Sequence, residues 1–160
     1  MISLDLIKRF QQISYYFNQQ AYAEVIALFS DHLAIDKVPA EIALMYAVAL
    51  RRVGQHVKSN ASFTAAIAAY PANADLRNSF GNLLLEMDLA QQALQQFEQV
   101  VKLAPTNADG YLNSARALSR LRQFEPALQL GGVQIAQRGG KGRGLVHVLD
   151  RDKGAAAVGQ

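Results

Sequence analysis

The chain has 160 residues, 51% of them hydrophobic and 18% charged, enough apolar material for one packed domain or a short repeat array, which excludes a wholly disordered polymer. Cysteine is absent, so disulfides, thiolate nucleophiles and cysteine metal ligands are excluded. The net charge of +3 lies in the tail: residues 1–130 carry 11 basic and 11 acidic side chains and residues 131–160 carry 5 and 2, so the basic pI describes no nucleic-acid face on the body.

At the N-terminus, Asp5, Lys8 and Arg9 interrupt the apolar run that a signal peptide needs, and none is expected. The longest strongly apolar run, Ile42 to Leu50, falls far short of the roughly 18 residues that span a bilayer. A cytoplasmic chain without a membrane span is predicted. Hydrophobic periodicity then gives four helix pairs in succession. The first helices of the pairs are predicted near 4–17, 40–53, 74–87 and 108–121, and the second near 21–34, 57–70, 90–103 and 124–137.

One interval, about 34 residues, orders these pairs. Val25, Ser59, Ala93 and Ala127 step by it, and so do Tyr22, His56, Ala90 and Phe124. Phe29, Phe63 and Phe97 keep that step, with Gly131 in fourth place. Tyr16, Leu50, Leu84 and Leu118 form a large apolar column; Ile13, Ala47, Gly81 and Ala115 form a mostly small one. A small side chain lets two helix backbones approach, which offsets the roughly 1 kcal/mol that Gly81 costs in helix propensity relative to alanine. Asn73 and Asn107 stand at N-cap positions, each followed two residues later by Asp75 or Asp109, and Pro71 and Pro105 stop the preceding helices.

At these columns the chain resembles the tetratricopeptide repeat family. Unit three carries the resemblance best, through Phe80, Gly81, Leu84, Ala93, Phe97 and Pro105. Unit two follows through Tyr46, Ala47, Leu50, Phe63 and Pro71, with Ser59 where alanine is usual. Unit one is looser, with Tyr16, Tyr22 and Phe29, and Lys37 where proline is expected. Unit four starts with Tyr111, Ala115, Leu118, Phe124 and Ala127 and then departs. The resemblance implies an all-α fold: a right-handed superhelix (α-solenoid) of antiparallel helix pairs over residues 1–137, followed by a Gly-rich basic tail over 138–160. Gly131 and Gly132 fall inside the last predicted helix and cost it roughly 2 kcal/mol together, so it is expected to fray. Eight of the eleven glycines lie in 131–160, and the tail is expected to be flexible.

No catalytic constellation is found, and no cofactor or metal is expected. His32, His56 and His147 lie apart, and His147 with Asp150 and Asp152 makes no convincing ligand set. His56 is read as a packing residue of its column. Gly139, Gly140, Lys141 and Gly142 do not form a phosphate loop, because Ile135 stands where its first glycine belongs and Gly142 where Ser or Thr belongs. Nucleic acid is not expected as a partner: the tail has five positive charges and no aromatic residue to stack on a base.

A repeat array of this kind has a concave surface lined by the first helix of each pair. The stripe assigned to it holds Ile7, Phe10, Ser14 and Phe17, then Leu44, Met45, Val48, Arg51 and Arg52. It continues through Asn78, Asn82, Leu85 and Glu86 to Leu112, Asn113, Arg116, Ser119 and Arg120. Its N-terminal half is apolar and its C-terminal half is amide and guanidinium. An asparagine offers donor and acceptor together, which suits an extended peptide backbone, and arginine forks suit carboxylates. The sequence therefore predicts a non-enzymatic scaffold that binds an extended protein or peptide segment, with apolar anchors at one end of the groove and an acidic or C-terminal carboxylate group at the other. Phe10, Phe17, Arg52, Asn78, Asn82, Asn113, Arg116 and Arg120 are its candidate contact residues. Two alternatives stay open: the repeats are the N-terminal region of a larger enzyme, such as a transferase, or unit four supports self-association.

Overall fold

A computed structural model describes residues 4–29 and 33–122. Among these residues it holds seven α-helices and no strand. They are α1 (Leu4–Asn18), α2 (Tyr22–Phe29), α3 (Ala40–Arg52), α4 (His56–Ala69), α5 (Ala74–Glu86), α6 (Ala90–Leu103) and α7 (Ala108–Arg120). The helices pair in order, α1 on α2, α3 on α4 and α5 on α6, with α7 opening a fourth unit. The odd-numbered helices also pack on one another, α1 on α3, α3 on α5 and α5 on α7, so they form one continuous wall.

The repeat columns become the core. Val25, Ser59 and Ala93 are fully buried, and Phe63 and Phe97 beside them are buried to the same degree. Burying each of these phenylalanines contributes about 2–3 kcal/mol. A Cβ on Gly81 would sit 2.6 Å from Cζ of Phe97, so glycine there is what lets α5 close on the α6 ring. In unit two the corresponding place is Ala47, whose carbonyl accepts a 2.7 Å hydrogen bond from the buried Ser59 hydroxyl. That bond accounts for serine in a column otherwise filled by apolar side chains.

The turns repeat as faithfully as the core. Each odd-numbered helix is followed by a residue with positive φ: Gln20 (58°), Gly54 (79°), Asp88 (61°) and Arg122 (59°), again one repeat apart. Around Gly54 its own N–H bonds to Arg51 carbonyl and the next N–H to Leu50 carbonyl, closing the helix end with a paired capping turn. The even-to-odd turns use the predicted caps. Asn73 accepts from Leu76 N–H at 2.9 Å, and Asn107 from Asp109 N–H at 2.9 Å.

Unit one departs from the expected boundaries. Of the helix expected over 21–34, the described part is Tyr22–Phe29; residues 33 and 34 are not helical, and a 3-10 turn covers Ile35–Lys37. Pro39 follows at the place that Asn73 and Asn107 occupy in later units, and it forces Val38 into an extended conformation (φ −108°, ψ 155°). Without an asparagine there, α3 has no side-chain cap. The Tyr70 hydroxyl donates to the Val38 carbonyl and ties this segment to α4. The helix expected over 124–137, the Gly-rich tail, His32, His147 and the self-association face of unit four lie outside the described residues.

Candidate interaction groove

The wall of odd-numbered helices presents equivalent positions side by side, because each helix repeats its predecessor one interval further along the chain. Phe10, Leu44, Asn78 and Leu112 share one position, and Ser14, Val48, Asn82 and Arg116 share another. Gln11, Met45, Ser79 and Asn113 share a third. Reading across the wall, the surface changes from aromatic and aliphatic through amide to guanidinium.

At the C-terminal end, the polar side chains are bonded to each other across the α5–α7 boundary. Asn113, only 7% exposed, donates from Nδ2 to Asn78 Oδ1 at 2.8 Å. Asn82 donates to the Asn78 backbone carbonyl at 3.1 Å. Arg116 donates to Asn113 Oδ1 at 2.9 Å and to Asn82 Oδ1 at 3.4 Å. Arg120 donates to the Leu85 carbonyl at 2.6 Å, placing its cation at the negative C-terminal end of α5. All three amide oxygens thus accept an internal bond. Among the described residues Asn78 Nδ2 donates no bond, and Arg116 and Arg120 each use one of their several donor nitrogens. The patch therefore keeps more uncommitted donors than acceptors, chiefly on the exposed Arg116 and Arg120. This revises the expectation of a two-way amide surface suited to backbone donors and acceptors alike.

One acid stands on this stripe. Glu86 Oε2 lies 3.9 Å from Arg51 Nε and 4.0 Å from His56 Nε2. The Arg51 side chain is 10% exposed and its Nε has no hydrogen-bond partner. Burial pushes its guanidinium below the usual arginine range, with Glu86 acting against that shift. His56 thus sits beside a carboxylate at the start of α4, which its reading as a plain packing residue missed.

At the N-terminal end, Ile7, Phe10, Gln11, Ser14, Tyr15 and Pro39 line an open hollow of about 490 Å³. Phe10 both lines it and packs on the core. Phe17 instead packs inward, edge-on to Tyr22 with ring centroids 5.8 Å apart. Between the two ends, Leu44, Met45 and Val48 are half-buried. One stripe assignment needs revision. Leu85 is 2% exposed and belongs to the core, so only its carbonyl takes part, through Arg120. Arg52 is exposed and stands apart from the α5–α7 network. The network and the hollow had no direct sequence signal beyond shared register.

No helix among the described residues is long and apolar enough to cross a membrane. No family model matches the chain, and no curated protein does. Solved structures do. MamA superposes with a TM-score of 0.76 at 15% identity, covering 81% of this chain and 76% of that one. YrrB, described as a TPR protein with an unusual peptide-binding site, gives 0.68 at 19% identity over 79% and 65%. The second TPR of Spaghetti (RPAP3), bound to the HSP90 peptide SRMEEVD, gives 0.58 at 18% over 61% and 91%. Helix pairs stepping by one constant interval, small-to-aromatic contacts such as Gly81 on Phe97, and these superpositions agree: the chain has the tetratricopeptide repeat fold.

Proposed function

We propose that the chain is a non-enzymatic interaction scaffold whose wall of odd-numbered helices takes an extended, acidic segment of a partner protein. The observation that carries this reading is the donor bias of the α5–α7 patch. Each of its amide oxygens already accepts one internal bond, whereas Asn78 Nδ2 and further nitrogens of the exposed Arg116 and Arg120 have no bond among the described residues. Carboxylates and carbonyl oxygens satisfy such a surface, and guanidinium groups bind carboxylates with short, charge-assisted bonds. A peptide rich in donors or positive charge would leave it unpaired. Two structures of this fold, one bound to a glutamate-containing peptide and one described by its peptide-binding site, support a peptide as the occupant.

The test uses a fluorescein-labelled peptide carrying a block of glutamates, with a glutamine version as control. Anisotropy is expected to show binding of the glutamate peptide that weakens with salt. Arg116→Glu is expected to reduce its affinity about tenfold or more, as truncating or reversing a contacting charge does. Equal binding of the glutamine peptide, or unchanged binding to Arg116→Glu, would overturn the reading.

A further inference from the structure

Glu86 interrupts a row of arginines. Arg52, Glu86 and Arg120 share one position on α3, α5 and α7, and all three are exposed. Glu86 follows Leu85, whose carbonyl accepts from Arg120 at 2.6 Å, so this carboxylate borders the donor patch. Its compensation comes from unit two. Oε2 lies 3.9 Å from Arg51 Nε and 4.0 Å from His56 Nε2. Gly54, with its positive φ, turns the chain so that the first residue of α4 returns beside the end of α3. The imidazole side chain is 39% exposed, so protons reach it from water. Units one and three hold Tyr22 and Ala90 in its place, and the arrangement belongs to unit two alone among the described units.

We infer that His56 makes capture of the acidic segment respond to pH, strengthening it as the medium acidifies from about pH 8 to about pH 5.5. The inference rests on the proposed reading of the donor patch. Histidine is the side chain type that ordinarily gains its charge in that range, whereas arginine, lysine and carboxylates ordinarily keep theirs. Without a proton on His56, Arg51 and Glu86 offset each other. With it, Glu86 is compensated twice and the cluster carries a positive excess. The neighbouring charges are of types that stay constant: Arg52 on α3, Lys58 on α4 and Asp88 in the turn after α5, with the Tyr22 side chain of α2 acting on Arg51. The 3-10 turn also packs on α4, and its Asp36 and Lys37 offset each other. Packed helices lie about 8–10 Å apart, so the change in charge falls about one helix step from an acid held at Arg120. That distance is well inside the screening length of about 30 Å at 0.01 M salt and comparable to the length of about 8 Å at 0.15 M.

The experiment uses the full chain and the labelled glutamate peptide in about 10 mM salt. Anisotropy is expected to show affinity rising about three- to fivefold from about pH 8 to about pH 5.5, with most of the gain lost at physiological salt. His56→Gln is expected to hold the weaker affinity and His56→Arg the stronger one, each nearly flat across the range. Calorimetry in buffers of different ionisation enthalpy is the second readout. Binding near about pH 6.5 is expected to take up protons in the wild-type chain and not in either variant, because proton and peptide strengthen each other reciprocally. A wild-type affinity without pH dependence, or a dependence that persists unchanged in His56→Gln, overturns the inference while the donor-patch reading stands. Failure of the glutamate peptide to bind at any pH overturns both.

Discussion

Asn113 on α7 donates from Nδ2 to Oδ1 of Asn78 on α5 at 2.8 Å, joining two neighbouring repeats through their side chains. Asn113 is 7% exposed, so loss of this bond is felt in the folded state. Asn113→Ala is expected to cost about 1–2 kcal/mol, because it removes the bond to Asn78 and the acceptor of Arg116. Asn78→Ala should cost about 1–3 kcal/mol, since it leaves the Nδ2 of the buried Asn113 without its acceptor. Urea denaturation of both single variants and the double variant should yield a coupling of about 1 kcal/mol. Strictly additive losses would show that the two amides do not act as a pair.

Gly81 on α5 packs directly against the Phe97 ring of α6. Gly81→Ala gains roughly 1 kcal/mol of helix propensity. Against this, the new methyl would meet the Phe97 ring at 2.6 Å from Cζ, and overpacking of that kind costs about 1–3 kcal/mol. A net loss of about 1–2 kcal/mol is expected. Phe97→Leu makes room for the methyl, so the double variant should be less destabilised than the sum of its parts. Thermal melts of the four proteins settle the sign. A more stable Gly81→Ala would mean that α5 can shift away from α6 at little cost.

The helices were readable because their causes are local and periodic. Columns such as Phe63 and Phe97 repeat a packing position, and Asn73 and Asn107 repeat a cap. The 3-10 turn over Ile35–Lys37 was not readable, since Lys37 and Pro39 only show that unit one breaks the rule, not what replaces it. The groove was readable as a stripe and no further. A column shows which face Asn82 occupies. It does not show that its oxygen is taken by Arg116, whose position one repeat later becomes adjacent only when α5 and α7 pack. The same holds for Arg51 and Glu86, which meet across the α3–α5 boundary.

The four positive-φ positions give a prediction about stability alone. Gly54 adopts this conformation freely, whereas Gln20, Asp88 and Arg122 hold a backbone shape that disfavours their Cβ by roughly 1–2 kcal/mol. Gln20→Gly is expected to stabilise the fold by about 0.5–1 kcal/mol, the relief of that strain less the added freedom of the unfolded chain. Gly54→Ala, by the same reasoning, should destabilise it by about 1 kcal/mol. The Asp88→Gly gain should be smaller than that at Gln20, because Asp tolerates the left-handed region better than glutamine does. Denaturation midpoints in urea provide the check, and a destabilising Gln20→Gly would contradict the assignment of strain to that turn.

Glu86 sets the last expectation, because it is a carboxylate on a surface argued to attract carboxylates. It is 46% exposed, and its nearest cations are Arg51 Nε at 3.9 Å and His56 Nε2 at 4.0 Å. Those distances allow charge compensation without a short hydrogen bond, so the pairs are worth less than about 1 kcal/mol. Glu86→Gln should therefore cost little stability. It should also remove a repulsion, strengthening binding of the glutamate peptide several-fold at low salt, with the gain shrinking as ionic strength rises. Arg51→Met acts oppositely on the same surface. It removes a buried cation whose Nε has no hydrogen-bond partner and leaves Glu86, 46% exposed, to be solvated by water, so stability should change little. The loss of positive potential should weaken the glutamate peptide. Anisotropy titrations at low and physiological salt, with denaturation curves for each variant, separate the two effects. An affinity that ignores Glu86→Gln at low salt would place the acidic segment away from the α3–α5 end of the groove.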